Sequence, residues 1–201
     1  MQIKTFLATT ALAVTLAGAA WAANDTITLG MALEPPNLDP TGGAAAAIDE
    51  EVSANVYAGL TRFGHDGAIL TGLAESWEVS ADGTVYTFKL RDGVTFHDGS
   101  TMDGEDVKFS LDRARSEDST NAQKALIEGI AEVTVVDPLT VQVTLTDPDG
   151  NFPFKMAWGD AVILAPETAD TAATAPVGTG PFTFTNWVQG DRVEITRNPD
   201  Y

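Results

Sequence analysis

Residues Leu73–Arg113 read LAESWEVSADGTVYTFKLRDGVTFHDGSTMDGEDVKFSLDR. Tyr86, Phe88 and Leu90 alternate with Val85, Thr87 and Lys89, the period of two that puts one apolar row on one face of a strand. Asp82-Gly83, Asp92-Gly93 and Asp98-Gly99 punctuate the stretch. Asp bonds its own backbone and Gly accepts positive φ, so each pair predicts a turn. Trp77 before the first turn and Tyr86 after it predict a hairpin, and Val94-Thr95-Phe96 a further short strand. The period then changes. Asp103, with Asp106 three residues on, predicts a helix N-cap, and Val107, Leu111 and Ala114 fall on one helical face. Trp77, Tyr86, Phe88 and Phe96 are core candidates.

Downstream, Asn121–Ile130 predicts another helix. Val133 and Val135, then Val141, Val143 and Leu145, alternate around Asp137-Pro138 and predict a hairpin. Phe182 and Phe184, then Val193 and Ile195, predict a second. Residues 171–176 are small and read as a loop. Upstream, Thr26–Met31 (TITLGM) predicts a first strand. Glu34–Pro40 (EPPNLDP) cannot be regular, because proline breaks both ladders. Asp49–Leu60 carries Val52, Val56 and Leu60 at helical spacing, with Asp49, Glu50 and Glu51 in its first turn, where the helix dipole favours acids. Strands and helices mix without steady βαβ alternation, so the class is mixed α/β or α+β.

The N-terminus reads as an export signal. Met1–Lys4 is short and positive, Thr5–Gly18 is apolar and uncharged, and Ala20-Trp21-Ala22 supplies small residues at a cleavage site. Cleavage is expected after Ala22. The apolar run is shorter than the roughly 20 residues that span a bilayer. The chain has no Cys, so an exported product needs no disulfide and cannot carry a lipid on a Cys following its signal. The formal net charge is −18, which repels phosphates and argues against nucleic acid as a partner. His65 and His97 stand alone without metal-ligand spacing. Asp147-Pro148-Asp149-Gly150 lacks the downstream ligands of a calcium loop and reads as a turn. No nucleophile-elbow, P-loop or dinucleotide glycine pattern occurs. No cofactor is expected.

The Leu73–Arg113 stretch closely resembles the signature segment of the family 5 extracellular solute-binding proteins, the receptors of peptide, nickel and related ABC importers. The landmarks are Trp77, Asp82-Gly83, Tyr86-Thr87-Phe88, Leu90-Arg91, Gly93-Val94, Phe96-His97-Asp98-Gly99 and Asp106-Val107. LEPPNLDP, VYAGLTRF at Val56–Phe63, VGTGPF at Val177–Phe182 and RNPDY at Arg197–Tyr201 also look like landmarks of that family. Gly104 departs from it, where Ala is usual, and is expected to weaken the helix start slightly.

The resemblance implies a fold like the type II periplasmic binding proteins: two lobes that close on a ligand, plus an extra small domain. It implies residues 1–22 as signal peptide, 23–59 as the first piece of lobe I, 60–176 as the extra domain and 177–201 as the start of the second piece of lobe I. Relatives are well over twice as long, so the chain is expected to be truncated before the second lobe. The implied role is a periplasmic, monomeric, non-enzymatic receptor. It would capture a peptide or peptide-like compound foremost, with opines, sugars and chelated metals as alternatives, and would hand it to an inner-membrane ABC permease without itself inserting into the membrane. An exported α/β enzyme, or a signalling or scaffold module on the same fold, is the alternative.

Two places are candidates for solute contact. The loop holding Glu34, Pro36, Asn37 and Leu38 is stiffened by proline, which lowers the entropy cost of binding. Glu34 could accept from an amine and Asn37 could offer its amide. Trp158-Gly159-Asp160 sets an aromatic beside a flexible Gly and an acid, a wall suited to an amphipathic ligand. Asn121 and Gln123 are further candidates for lining the same cleft.

Overall fold

The structure is a computed structural model that describes residues 26–201; the expected signal peptide and its cleavage site lie outside the described residues. Among the described residues, 26–32 belong to one unit and Leu33–Tyr201 form another. In the first unit, the expected strand at Thr26–Met31 is not formed. Ile27 and Leu29 are exposed there. Alternation alone does not make a strand, because a ladder needs a partner edge.

The Leu73–Arg113 stretch folds largely as its periods predict. Strand β3 (Ala74–Val79) pairs antiparallel with β4 (Val85–Leu90), with Trp77 opposite Phe88. Tyr86, Phe88 and Leu90 are buried. Asp82 Oδ1 accepts from Thr84 N at 3.1 Å and closes the turn. Helix α2 (Gly104–Arg115) opens on a full capping box: Asp103 Oδ1 accepts from Glu105 N, and Asp106 Oδ2 accepts from Asp103 N, each at 2.8 Å. Val107, Leu111 and Ala114 are buried. A Cβ at Gly104 would sit 3.0 Å from methyls of both Val135 and Val141, so glycine here lets the helix start approach the sheet. The expected strand around Val94–Phe96 reduces to a single bridge between Thr95 and Thr101.

Strands β5 (Ile130–Asp137) and β6 (Thr140–Leu145) form the expected hairpin and complete a four-stranded antiparallel sheet, order β3-β4-β6-β5. A short β1–β2 pair (Thr61–Phe63 and Ile69–Thr71) stands apart. The expected helix over Asn121–Ile130 is only one turn, α3 (Lys124–Ile127), because the chain enters β5 at Ile130. The expected helix over Asp49–Leu60 is also shorter. Helix α1 (Ala46–Val52) stops where Ala54 takes φ 60° and Asn55 Nδ2 donates to the carbonyls of Glu50 and Glu51 at 3.3 and 3.1 Å. Those bonds satisfy carbonyls that another turn would have used. Val56 and Leu60 are still fully buried. The C-terminal hairpin, β7 (Phe182–Val188) with β8 (Arg192–Arg197), forms as expected.

Two apolar cores result. The first gathers the four-stranded sheet, α2, Phe152 of α4 (Phe152–Lys155), and Ile163. The second gathers Leu38, Ile48, Val52, Val56 and Tyr57, with Phe184, Trp187, Val193 and Ile195 of the last hairpin packed against it. They share one wall. Ala161, Ile163 and Ala165 enter the first core, while Val162 and Leu164 enter the second. Successive side chains of an extended segment point to opposite faces, so this one serves both. Two further ties cross the molecule. Arg113 of α2 pairs with Asp39 (Nη1–Oδ1 3.1 Å, Nη2–Oδ2 2.5 Å) and also donates to Thr41. His97 of the FHDG turn accepts from Gly178 N at Nδ1 (3.3 Å) and meets Gly180 O at Nε2 (3.0 Å). With Nδ1 accepting, the ring carries its proton on Nε2.

Candidate functional site

A cleft of about 750 Å³ opens in the unit Leu33–Tyr201, with Ser53, Tyr57, Arg62, Arg91, Trp158 and Gly159 in its walls. Trp158 follows α4 and is 37% exposed, a large apolar side chain only partly covered. Its indole meets Phe63 of β1 and Phe154 of α4 edge-on, with ring centroids 6.3 and 6.2 Å away. Phe63 and Phe154 themselves stand 5.3 Å apart. Two rings thus fix the indole while leaving area for a ligand.

Residues Gly159–Ala161 form a single 3₁₀ turn. A Cβ on Gly159 would stand 2.3 Å from Ser53 Oγ and 2.7 Å from Asp49 Oδ1. Glycine is what lets this turn press against α1. The next residue, Asp160, is 4% exposed, and its Oδ2 has no hydrogen-bond partner. Burial, and next the negative charge of Asp49, push its carboxyl up to about 6. Asp49 is half-buried beside it and also shifted upward, chiefly by burial, with the Ser53 hydroxyl donating to its Oδ1 at 3.1 Å in opposition.

The eight residues expected at the site separate into two groups. Asn121, Gln123, Trp158 and Asp160 come together. Asn121 Nδ2 donates to Asp160 O at 2.9 Å and Asn121 Oδ1 accepts from Gln123 N at 2.8 Å, so this buried amide braces the turn. Gln123, Trp158, Asp160 and Lys155 line a small hollow behind the cleft.

The four residues of the proline loop lie elsewhere. Glu34 Oε1 accepts from Trp187 Nε1 (3.1 Å) and Gly190 N (2.7 Å), joining the loop to the C-terminal hairpin. Asn37 closes its own loop through Gly42 O and Asp39 N. Leu38 is wholly buried in the second core, and Pro36 is exposed. The Asn-x-Asp spacing at residues 37–39 carried a local signal for such a turn, since Asn bonds backbone two residues on. Asp49 and Ser53 escaped sequence reasoning, because an acid in the first turn of a helix already has an explanation in the dipole.

Residues 68–201 match the bacterial extracellular solute-binding proteins, family 5 Middle. The chain belongs to this family. The glutathione-binding protein GsiB of Pectobacterium atrosepticum is 34% identical over 205 residues, which cover all of this chain and 40% of that protein. NikZ from Campylobacter jejuni, solved in complex with Ni(L-His), superposes with a TM-score of 0.74 at 30% identity, over 83% of this chain and 34% of that one. The ABC transporter-associated periplasmic binding protein DppA from Helicobacter pylori, solved with the peptide STSA, gives 0.72 at 29%, over 82% and 37%. The chain thus spans well under half the length of these family 5 relatives, and its mixed α/β fold is the corresponding part of theirs. The FHDG and VGTGPF landmarks of the family meet through the His97 bonds to Gly178 and Gly180.

Proposed function

We propose that this chain is part of the solute-binding component of an ABC importer, which captures a peptide or peptide-like solute in the periplasm and delivers it to a membrane permease. Membership of family 5, whose receptors bind solutes and are not enzymes, supports the class. The observation that carries the site is the half-exposed Trp158, held by two other rings at the mouth of the cleft beside a buried acid. Capture is non-covalent: a partly formed apolar wall gains a second wall when lobes close, and desolvation then strengthens every polar contact inside.

The two cores support dividing the chain into pieces at 23–59, 60–176 and 177–201. The second core joins residues 38–57 to the hairpin at 182–197, as a lobe made from two separated pieces of chain would, and also takes Val162, Leu164 and Ala172 from the intervening stretch. The intervening stretch holds nearly all of the first. Export by a cleavable signal gives the periplasmic location.

Mass spectrometry of solute released from native protein purified from its host tests the reading. A stoichiometric small peptide or peptide-like compound is the expected result. A protein that carries no solute and binds neither glutathione nor the peptide STSA by calorimetry would refute it.

A further inference from the structure

We propose that Asp92-Gly93, on the wall of the cleft, is a site of self-modification: Asp92 isomerises there to isoaspartate, far faster than the aspartate of any other Asp-Gly pair in the folded chain. The inference goes beyond solute capture and does not rest on it.

Six Asp-Gly pairs occur in the chain, at Asp66, Asp82, Asp92, Asp98, Asp103 and Asp149. Aspartate before glycine is the pair most open to this reaction, because glycine puts no side chain in the way of the attack. The backbone nitrogen of the glycine bonds to Cγ of the aspartic acid. One carboxyl oxygen leaves as water, taking the amide proton and the carboxyl proton, and a five-membered imide is left. Water then opens the ring. Addition at Cγ restores aspartate. Addition at the main-chain carbonyl carbon leaves the backbone running through the side chain, one methylene longer. No oxidant or cofactor enters, and the product has the mass of the starting chain.

The reaction needs two free groups: an amide N–H that can give up its proton, and a carboxyl that can swing back over it. The fold withholds at least one of them at five pairs. The amides of Gly67, Gly83, Gly99 and Gly104 donate to the carbonyls of Gly64, Ser80, Phe96 and Pro138 at 2.8–2.9 Å. The carboxylates before them are held as well. Oδ1 of Asp66, Asp82, Asp98 and Asp103 accepts from the backbone N–H two residues on, at 3.1, 3.1, 2.9 and 2.8 Å, the bond by which Asp closes a turn on itself. Asp149 is held by both oxygens: Oδ1 accepts from Asn151 N at 2.9 Å and Oδ2 pairs with Lys155 Nζ at 2.6 Å.

Asp92-Gly93 has neither restraint. Among the described residues, the Gly93 N–H has no acceptor, and the Asp92 carboxylate has no hydrogen bond and no ion pair. Both residues are exposed and both line the cleft. Their neighbours are anchored. Arg91 donates its N–H to Leu73 O at 2.9 Å and its Nε to Gly72 O at 2.7 Å, and Val94 O accepts from Met102 N at 2.9 Å. A methylene added between these anchors changes the shape of the cleft wall and moves a carboxylate on it.

The test incubates the native protein for weeks at 37 °C and about pH 6. After digestion, electron-transfer fragmentation distinguishes isoaspartate from aspartate at each pair. Isoaspartate at position 92 is expected to exceed that at each of the other five pairs at least tenfold. The same incubation in urea removes the hydrogen bonds and should bring all six pairs within about threefold of one another. Asp92→Glu keeps the charge but would have to close a larger ring, so the folded variant should form almost no isoaspartate at its remaining Asp-Gly pairs and none at position 92. Isoaspartate at position 92 no higher than at another pair of the folded protein overturns the inference. So does an equal excess at position 92 in urea, since the fold would then not be what selects the site.

Discussion

The two cores of this molecule are built from similar residues and closed to different degrees. In the first, Phe88 is 0% exposed and lies within 6.4 Å, centroid to centroid, of Trp77, Tyr86 and Phe152. Its sheet is contiguous in sequence apart from α2 and α3, so most partners of each buried residue lie within one stretch of chain. The second core draws on segments more than a hundred residues apart. Its hairpin face, Phe184, Trp187, Val193 and Ile195, is only partly buried. The candidate site lies along the wall the two share, where Trp158-Gly159-Asp160 precedes the alternating Ala161–Ala165 segment. A tightly packed core transmits little slack, so a rigid platform stands on one side of the site and a less covered surface on the other.

The contrast is broken most directly by truncating one side chain in each core. Phe88→Ala should destabilise the protein by about 3–5 kcal/mol, the range for a fully buried aromatic. Ile195→Ala should cost about 1 kcal/mol, in proportion to its partial burial. Urea denaturation measures both, and equal losses would show that the cores do not differ.

Arg113 ties α2 of the first core to Asp39 beside the second. Arg113→Ala leaves a carboxylate that is 7% exposed without its cation. The pair's partial exposure and the remaining bonds from Thr41 soften the loss, which should be about 2 kcal/mol. The same denaturation experiment reads it. A loss below about 0.5 kcal/mol would make the tie an ordinary surface pair.

Trp158→Ala separates binding from stability. Affinity for the bound solute should fall by about 1–3 kcal/mol, with under about 1 kcal/mol lost in folding because the indole is only partly covered. A large drop in melting temperature with unchanged affinity would move Trp158 from the site into the first core.

The remaining effect is in pH. Asp160 ionises near 6 in the folded protein against an ordinary value of 3.8. Between those values the folded state binds more protons than the unfolded one, so stability falls as the pH rises from about 4 to about 6 and then levels. Asp160→Asn should therefore match wild-type stability at pH 4 and exceed it at pH 7. Asp106, also raised to about 6 chiefly by burial, contributes a slope of the same sign from the first core. If the substitution changes stability equally at both pH values, Asp160 is not the titrating group.

Residues adjacent in sequence determined much of the fold. The capping box at Asp103 and Asp106, the turn at Asp82-Gly83 and the alternation of Tyr86, Phe88 and Leu90 act over a few residues, so α2, the hairpins and the face of the sheet were legible without coordinates. The resemblance of Leu73–Arg113 to family 5 was legible for the same reason: its landmarks are largely the local requirements of that sheet and helix. Tertiary structure decided where local signals compete or fall silent. Helix α1 ends at Val52 because Asn55 satisfies the carbonyls of Glu50 and Glu51, and Val56 and Tyr57 bury themselves without further helix. TITLGM alternates as a strand does, but a ladder depends on an edge that no local pattern supplies. The proline loop read as a binding element, yet Glu34 finds Trp187 and Gly190 more than 150 residues away and Leu38 goes inside. Asp160 is an ordinary acid in the sequence. Only the approach of Gly159 to Asp49 and Ser53, with Asn121 bracing the turn from behind, gives it a buried oxygen without a partner, because burial and charge proximity are set by through-space distance and not by spacing along the chain.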